Sequence, residues 1–257
     1  MFMFSQLIKL PIFKRLIPSL YKKYIFLFNK YNKKISIDGI NYDLDLRHLI
    51  DRRFFFHKTY ENELFQPICN IIKNKKINYF FDIGSCWGIY SLRLSNKFEN
   101  LKIFSYDPID RNIQRLNNSI KINNIENIQT FRLAIGDEES IVELGATEDY
   151  SPNYEIGEKN AVIKEKCKMN LLDNLHYLEK KNIVIKIDTE GFEDKVLNGA
   201  VNLLTKNNVF CQIEIKDKNI DKVFSFFKSI NYNLISDNRF NKTDYFFSNF
   251  DLNKIEI

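Results

Sequence analysis

The chain has 257 residues, enough for one large α/β domain and an accessory segment, and 44% of them are hydrophobic, which excludes a disordered chain. Lysine and arginine (38) exceed aspartate and glutamate (33), but Lys9, Lys14, Arg15, Lys22, Lys23, Lys30, Lys33 and Lys34 all precede the first acid, Asp38. Acids therefore outnumber bases in the rest of the chain, which lacks the general phosphate-binding field of a nucleic-acid protein. The cysteines Cys69, Cys86, Cys167 and Cys211 show no C-x-x-C spacing and lie in mostly apolar surroundings, which gives no zinc pattern and suits reduced thiols in a cytoplasmic protein.

Residues 1–34 read as a basic, amphipathic helical arm, with Phe2, Phe4, Leu7, Ile8, Ile12, Phe13, Leu16, Ile17, Leu20, Tyr24, Phe26, Leu27 and Phe28 between the bases. Charges interrupt every apolar run before the ~18 residues a membrane span needs, and no small-residue cleavage site follows, so neither a transmembrane helix nor a signal peptide is expected. Two readings stay open: the arm packs on the main domain or a sister subunit in a homo-oligomer, or it makes reversible peripheral contact with anionic lipid. Residues 35–76 read as a linker. A short hairpin pairs Ile35–Ile37 with Asn41–Leu44 around Asp38-Gly39, and helices are expected over Arg47–Phe55 and Glu61–Ile72, the latter with Leu64, Ile68 and Ile72 as its apolar face. This region could cap a ligand crevice. Arg52, Arg53, His57, Tyr60 and Glu61 are candidate contacts there, or simply solvated positions.

The main domain, residues 77–257, begins with the apolar run Tyr79-Phe80-Phe81, which ends on Asp82-Ile83-Gly84-Ser85-Cys86-Trp87-Gly88 before a helical pattern starting Ile89-Tyr90. Gly84 and Gly88 would let the backbone turn tightly and approach a ligand closely. The spacing is Gly-x-x-x-Gly, one glycine short of the dinucleotide fingerprint, and Asp82 would repel a phosphate there. A cationic ligand without phosphates suits the loop better, and S-adenosylmethionine, with its sulfonium and ammonium, is such a ligand. The next run, Ile103 to Tyr106, ends at Asp107-Pro108, where a carboxylate can accept hydrogen bonds from ribose hydroxyls or can cap the following helix. That helix is expected to use Asp110 as N-cap and Ile113, Leu116 and Ile120 as its apolar stripe.

Ile141–Leu144 and Val162–Cys167 read as strands. Between them, Thr147–Lys159 reads as a substrate lid, with Tyr150 and Tyr154 to stack on a flat acceptor and Asp149 and Glu155 to bind hydroxyls, or as an untethered polar loop. His176 is expected to be structural. The strand Ile183–Ile187 then delivers Asp188 and Glu190 toward the crevice beyond the strand ends, although an ordinary strand-to-helix turn would also place acids there.

These segments together resemble the FkbM-type methyltransferases over roughly residues 78 to 235. Phe81 to Leu92 is similar to the family's F-D-x-G-A-N-x-G-x-Y-S, Tyr106-Asp107-Pro108 to its F-E-P, and Leu133 to Asp137 to its A-x-G-D turn. Leu172-Asp173-Asn174-Leu175 is similar to its L-D-x-L, Lys186 to Ala200 to its K-I-D-x-E-G-x-E-x-x-V-L-x-G-A signature, and Gln212 to Ile215 to its final E-I strand. Cys86 stands where the family commonly has Asn, and Asp107 where it more often has Glu. The resemblance implies a Rossmann-like class I methyltransferase fold: an α/β, mostly parallel, doubly wound sheet with helices on both faces, here with the N-terminal helical extension. It implies S-adenosyl-L-methionine as cofactor, bound by Asp82, Gly84, Ser85, Cys86, Trp87, Gly88, Tyr90, Asp107, Pro108, Ala134 and Asp188, with Trp87 serving the pocket or packing beneath it. It also implies a hydroxyl acceptor, on a saccharide, a glycolipid precursor or another small metabolite.

Transfer to oxygen needs a base, for which Asp188, Glu190, Glu193 and Glu214 are the candidates. A divalent metal held by Asp188 and Glu214 is an alternative route to an activated hydroxyl, but two oxygens do not establish a metal site. Nucleic-acid methylation and a non-catalytic, cofactor-binding scaffold are the other readings of the chain. The first is disfavoured by the absence of an N/D-P-P-Y/F turn after the fourth strand, the second by the retention of Asp82, Asp107, Asp188 and Glu190. A nicotinamide oxidoreductase ranks last for want of a third glycine.

Overall fold

The computed structural model describes residues 13–147, 154–236 and 243–251. They form two compact units, one ending at Glu61 and the other starting at Asn62.

The first unit contains helix α1 (Phe13–Leu27), strands β1 (Asn32–Ile37) and β2 (Ile40–Asp45), and helix α2 (Leu49–His57). The strands pair antiparallel with Ile37 opposite Ile40, and Asp38 and Gly39 both take positive φ (52° and 82°) in a two-residue turn whose twist matches the strands it joins. Along β2, Ile40, Tyr42 and Leu44 are buried while Asn41 and Asp43 are exposed, the two-residue period of a strand with one covered face. Helix α2 starts two residues later than the sequence predicts. Both the backbone N–H and the side chain of Arg47 bind the Asp45 carboxylate, which holds Arg47 in the turn before the helix. The candidate contact Arg52 donates from Nη1 to the carbonyls of Leu46 and Arg47 and so closes this turn.

The second unit opens with helix α3 (Asn62–Asn74) and then alternates strand and helix: β3 (Tyr79–Ile83), α4 (Ile89–Lys97), β4 (Lys102–Asp107), α5 (Asp110–Ile122) and β5 (Ile128–Arg132). An insertion follows, made of β6 (Ala134–Ile135), β7 (Ser140–Ala146), β8 (Glu155–Ile156) and β9 (Ile163–Asn170), which form a separate four-stranded sheet in the order β6-β9-β7-β8. After it come α6 (Leu172–Leu175), β10 (Asn182–Ile187), α7 (Glu193–Asn198), α8 (Val201–Thr205), β11 (Asn208–Glu214), α9 (Ile220–Ser229), β12 (Asn233–Ser236) and β13 (Asp244–Ser248).

The main sheet runs β12-β13-β11-β10-β3-β4-β5. Neighbours from β11 to β5 are parallel, and β13 lies antiparallel between β11 and β12. Counting only the strands of this sheet in chain order, the sequence across it is 3-2-1-4-5-7-6. The order reverses between β3 and β10, so the switch point of this doubly wound sheet lies beyond the ends of these two strands. Strand β10 is buried along nearly its whole length, as expected for a central parallel strand covered on both faces. On one face Phe81, Ile83, Ile185, Ile187 and Ile213 meet Val196, Leu197, Leu203, Leu204, Val223 and Phe227 from α7, α8 and α9.

Two expectations need correction. Asp110 does not cap α5 but is its first residue; the carboxylate serving the helix start is Asp107, whose Oδ1 accepts from the Ile109 N–H (2.9 Å) and from Asn112 Nδ2 (3.0 Å). Part of the expected lid is also ordered onto the domain: Glu155 and Ile156 pair with β7, and Tyr154 packs with Ile109, Leu144 and Cys167. Asp149 and Tyr150 lie outside the described residues.

Candidate functional site

The loop after β3 is shaped by its own hydrogen bonds. The N–H groups of Gly84 and Ser85 both donate to the Tyr106 carbonyl, that of Gly88 to Ser85 and that of Cys86 to Asp107 Oδ2 (2.9 Å). These four amides are thus used within the fold rather than offered to a ligand. What glycine contributes is approach. Gly84 has φ 76°, and a Cβ there would lie 1.8 Å from the Asp188 carbonyl, so only glycine lets the β3 loop lie against the β10 loop. The Asp188 N–H completes the seam by donating to the Ile83 carbonyl at 2.9 Å. Cys86 takes φ 51°, in the left-handed region that Asn tolerates better than most side chains.

Asp107 ends β4 almost completely buried. Its hydrogen bonds from Cys86, Ile109 and Asn112 tie the loop, the strand end and α5 together. Burial pushes its pKa up to about 7, against the pull of those donors and with a further push from Asp82. With three acceptor positions filled, the carboxyl has capacity left for one ribose hydroxyl rather than two.

Beneath the loop, register places a row of polar residues across one buried face of the sheet: Ser105 beside Asp82, Asp82 beside Lys186, Lys186 beside Gln212. Ser91 from α4 bridges Asp82 Oδ2 (2.6 Å) and Ser105 (2.7 Å). Burial raises the Asp82 pKa, opposed by the Lys186 ammonium and the Ser91 hydroxyl. Lys186 also pairs with Asp188 Oδ2 at 3.0 Å and lies 5.1 Å from the centre of the Tyr90 ring. Tyr90 and Trp87, both expected to line a cofactor, are buried; Trp87 carries the Arg115 guanidinium over its ring at 5.1 Å, and Tyr90 meets Phe65 edge-on. Ala134 is buried at the start of β6 and Pro108 half-buried after β4.

At the ends of β10 and β11, carboxylate oxygens of Asp188, Glu190 and Glu214 converge within 4.8 Å of one another. Lys216 Nζ reaches Glu190 at 2.6 Å and Glu214 at 3.6 Å. Burial, a hydrogen bond to Asp188 and the charges of Asp188 and Glu190 push the Glu214 pKa up to about 8, with Lys216 pulling the other way. Burial acts on Asp188 in the same sense, but Lys186 and the Glu214 hydrogen bond outweigh it and hold Asp188 below its ordinary value. Of the pair, Glu214 is therefore the member that holds a proton more readily. Glu190 sits at φ 53° and has a raised pKa, chiefly from burial.

Glu193, a candidate base by sequence, is turned away from this cluster. It is fully buried, its Oε1 accepting from the Gly191 N–H (2.6 Å) and its Oε2 from Asn219 Nδ2 (2.8 Å), so it clamps the turn that carries Glu190. His176 is likewise structural: it hydrogen-bonds the Tyr106 hydroxyl, packs against Phe81 and Phe104, and is driven by burial to a pKa of about 4. Lys216, Asn219, Ser91 and Asn112 do not stand out by sequence. The only signal for Lys216 is its place two residues past Glu214, where a strand alternation returns a side chain to the same side.

Asp82 Oδ1, Ser85 Oγ, Thr189 Oγ1 and Gln212 Oε1 are buried without a hydrogen-bond partner, and all four lie at the C-terminal ends of β3, β10 and β11. A buried polar atom left unpaired costs ~1–3 kcal/mol, so their gathering at the switch point marks where a polar ligand would be rewarded.

No family model matches the chain, and no curated protein matches it. Among solved structures it is similar to a precorrin-6y methyltransferase from Geobacter metallireducens GS-15 (11% identity, TM-score 0.45, 74% of this chain and 88% of that one). It is similar also to a tRNA (uracil-54) methyltransferase from Pyrococcus abyssi in complex with S-adenosyl-L-homocysteine (9%, 0.46), of whose length it spans 44% while 85% of this chain is covered. A ribosomal protein methylase from Lactobacillus delbrueckii subsp. bulgaricus gives 14%, 0.44, and 75% and 78% of the two chains. At these scores the likenesses carry no argument about activity. The fold rests on the strand order itself, a mostly parallel, doubly wound α/β sheet as expected from the sequence.

Proposed function

We propose that this protein is an S-adenosylmethionine-dependent methyltransferase of FkbM type that methylates a hydroxyl of a saccharide or a similar small metabolite. The observation that carries the reading is the junction of β3 and β10: a glycine that only a close backbone approach explains, unpaired buried oxygens around it, and three converging carboxylates beside it. The residues fit the cofactor chemically. Asp82 Oδ1 and Ser85 Oγ are acceptors for an ammonium, Asp107 keeps one acceptor position for a ribose hydroxyl, and the loop presents no phosphate cradle. S-adenosylmethionine would supply the electrophilic methyl group on its sulfonium.

The chain's own part is to orient the acceptor and remove a proton. Glu214, in its ionised form, accepts the hydroxyl proton as the oxygen attacks, and Asp188, held ionised by Lys186, stabilises the protonated Glu214 that results. Lys216 fixes Glu190 and keeps the Glu214 pKa from rising further. The carboxylates outnumber the lysines here, which favours an uncharged, hydroxylated acceptor over a phosphate-bearing one.

The test is transfer of labelled methyl to a panel of free and lipid-linked sugars, with Glu214→Gln in parallel. We expect transfer to at least one hydroxylated acceptor, and a kcat lower by ~10²–10⁴ in the variant. Transfer by Glu214→Gln at the wild-type rate would remove Glu214 from the mechanism.

A further inference from the structure

The first unit carries a surface that the proposed reaction does not use. On α1, Leu20, Tyr24, Leu27 and Phe28 recur at the spacing of one helix face, and all are exposed, Leu27 at 76% and Leu20 and Phe28 at 56% and 55%. The adjoining strip is the one that packs: Ile25 is fully buried and Tyr21 stacks on Phe55 and meets Phe56 edge-on. The helix therefore has two adjoining apolar strips, of which the described residues cover one.

The exposed side is bordered by bases and aromatics together. Lys30 Nζ lies 5.8 Å from the Tyr24 ring centre and Lys22 Nζ 5.8 Å from that of Phe26, itself 44% exposed, while Lys23 flanks the stripe. No acid occurs before Asp38, whereas eight bases do. Two copies of this chain meeting through the stripe would bring Lys22, Lys23 and Lys30 of both together with no acid on the helix to offset them, so self-association is opposed by charge. An anionic lipid surface meets both requirements at once, with acyl chains for Leu20, Leu27 and Phe28 and headgroups for the lysines and Tyr24. A helix of 15 residues is about 22 Å long, short of the ~30 Å hydrocarbon core, and none of the described helices is long and apolar enough to cross a membrane.

We infer that α1 is a reversible interfacial anchor that lays its Leu20–Tyr24–Leu27–Phe28 face into the headgroup layer of an anionic membrane. The inference stands on the first unit alone and does not depend on the reaction proposed above.

It is tested by co-sedimentation of the full chain with vesicles of phosphatidylcholine alone or mixed with phosphatidylglycerol, comparing wild type with the double variant Leu20→Ser/Leu27→Ser and with Lys22→Gln/Lys23→Gln. Circular dichroism verifies folding, which exposed positions should leave unchanged. Wild type is expected to bind the mixed vesicles and not the pure ones, to be released by high salt, and to weaken at least tenfold in each double variant, the equivalent of about 1.4 kcal/mol. Failure of folded wild type to bind mixed vesicles overturns the inference. So does binding undiminished in Leu20→Ser/Leu27→Ser, or a dimer in sedimentation velocity that this variant abolishes.

Discussion

Glu214 faces opposing influences: burial and Asp188 hold its proton, while Lys216 at 3.6 Å favours its loss. Methyl transfer that needs its ionised form should rise with pH through about 8. Removing the ammonium in Lys216→Met takes away the influence that lowers the Glu214 pKa, so the rise should move to higher pH, and Lys216→Arg should move it back. A pH–kcat profile of the two variants checks this, and coincident profiles would show that Lys216 does not act on the base. Asp107 makes a separate prediction about stability. Its folded pKa of about 7 lies above the ~3.9 of an unfolded aspartate, so the folded chain binds the extra proton between those values. The contribution of Asp107 to stability should then be greatest at the lower end of that window and be lost as pH rises through it, with Glu214 extending the loss to about 8. In Asp107→Asn the slope of unfolding free energy against pH should flatten, as measured by urea titration of the ligand-free protein; an unchanged slope would contradict the assignment.

At the level of elements, several motifs that suggest chemistry serve packing. Gly199 of the signature stretch lies where a Cβ would meet the Gly136 carbonyl at 1.9 Å, and Lys195 pairs with Asp137 at 2.7 Å, so the A-I-G-D turn is a docking seat for α7. Asp173 accepts from the N–H groups of Asn202 and Leu203 at 2.8 Å each, capping α8 from a distance. Asp173→Ala should therefore lower stability by ~1 kcal/mol while leaving cofactor affinity unchanged, which chemical denaturation and ligand titration would separate. Strands β3, β4 and β10 are legible in the sequence because each apolar run ends on an acid or glycine, and β11 through the resemblance of Gln212 to Ile215 to a final E-I strand. The cap of the helix after Asp107 is legible only as one of two readings of that acid, because Asp107 stands three positions before the helix and the nearer Asp110 competes for the role. Glu193 cannot be told from Glu190 by sequence. Both follow the same strand, and only the Asn219 and Gly191 contacts turn one inward and leave the other in the cluster.

Across the whole molecule, the chain separates its charge and its chemistry. The basic residues of the first 34 positions belong to the unit with the exposed apolar helix face, and the carboxyl cluster belongs to the other, at the switch point of the 3-2-1-4-5-7-6 sheet. The order of motifs along the chain foresees a mostly parallel, doubly wound sheet through the resemblance, whereas strands β5, β12 and β13 carry no motif and are not read from the sequence. The insertion sheet between β5 and β10 is legible only as two strands and a loop, since β6 and β8 are two residues long and owe their existence to pairing partners rather than to their own sequence. Calorimetric titration of the purified protein with S-adenosylmethionine, S-adenosylhomocysteine and NAD, on wild type and on Gly84→Val, tests the central claim most directly. The account predicts that both adenosyl ligands bind wild type, that NAD does not, and that the valine side chain introduced by Gly84→Val, forced against the Asp188 carbonyl, abolishes binding in protein that remains folded. Folded wild type that binds neither adenosyl ligand, or that prefers NAD, would contradict it.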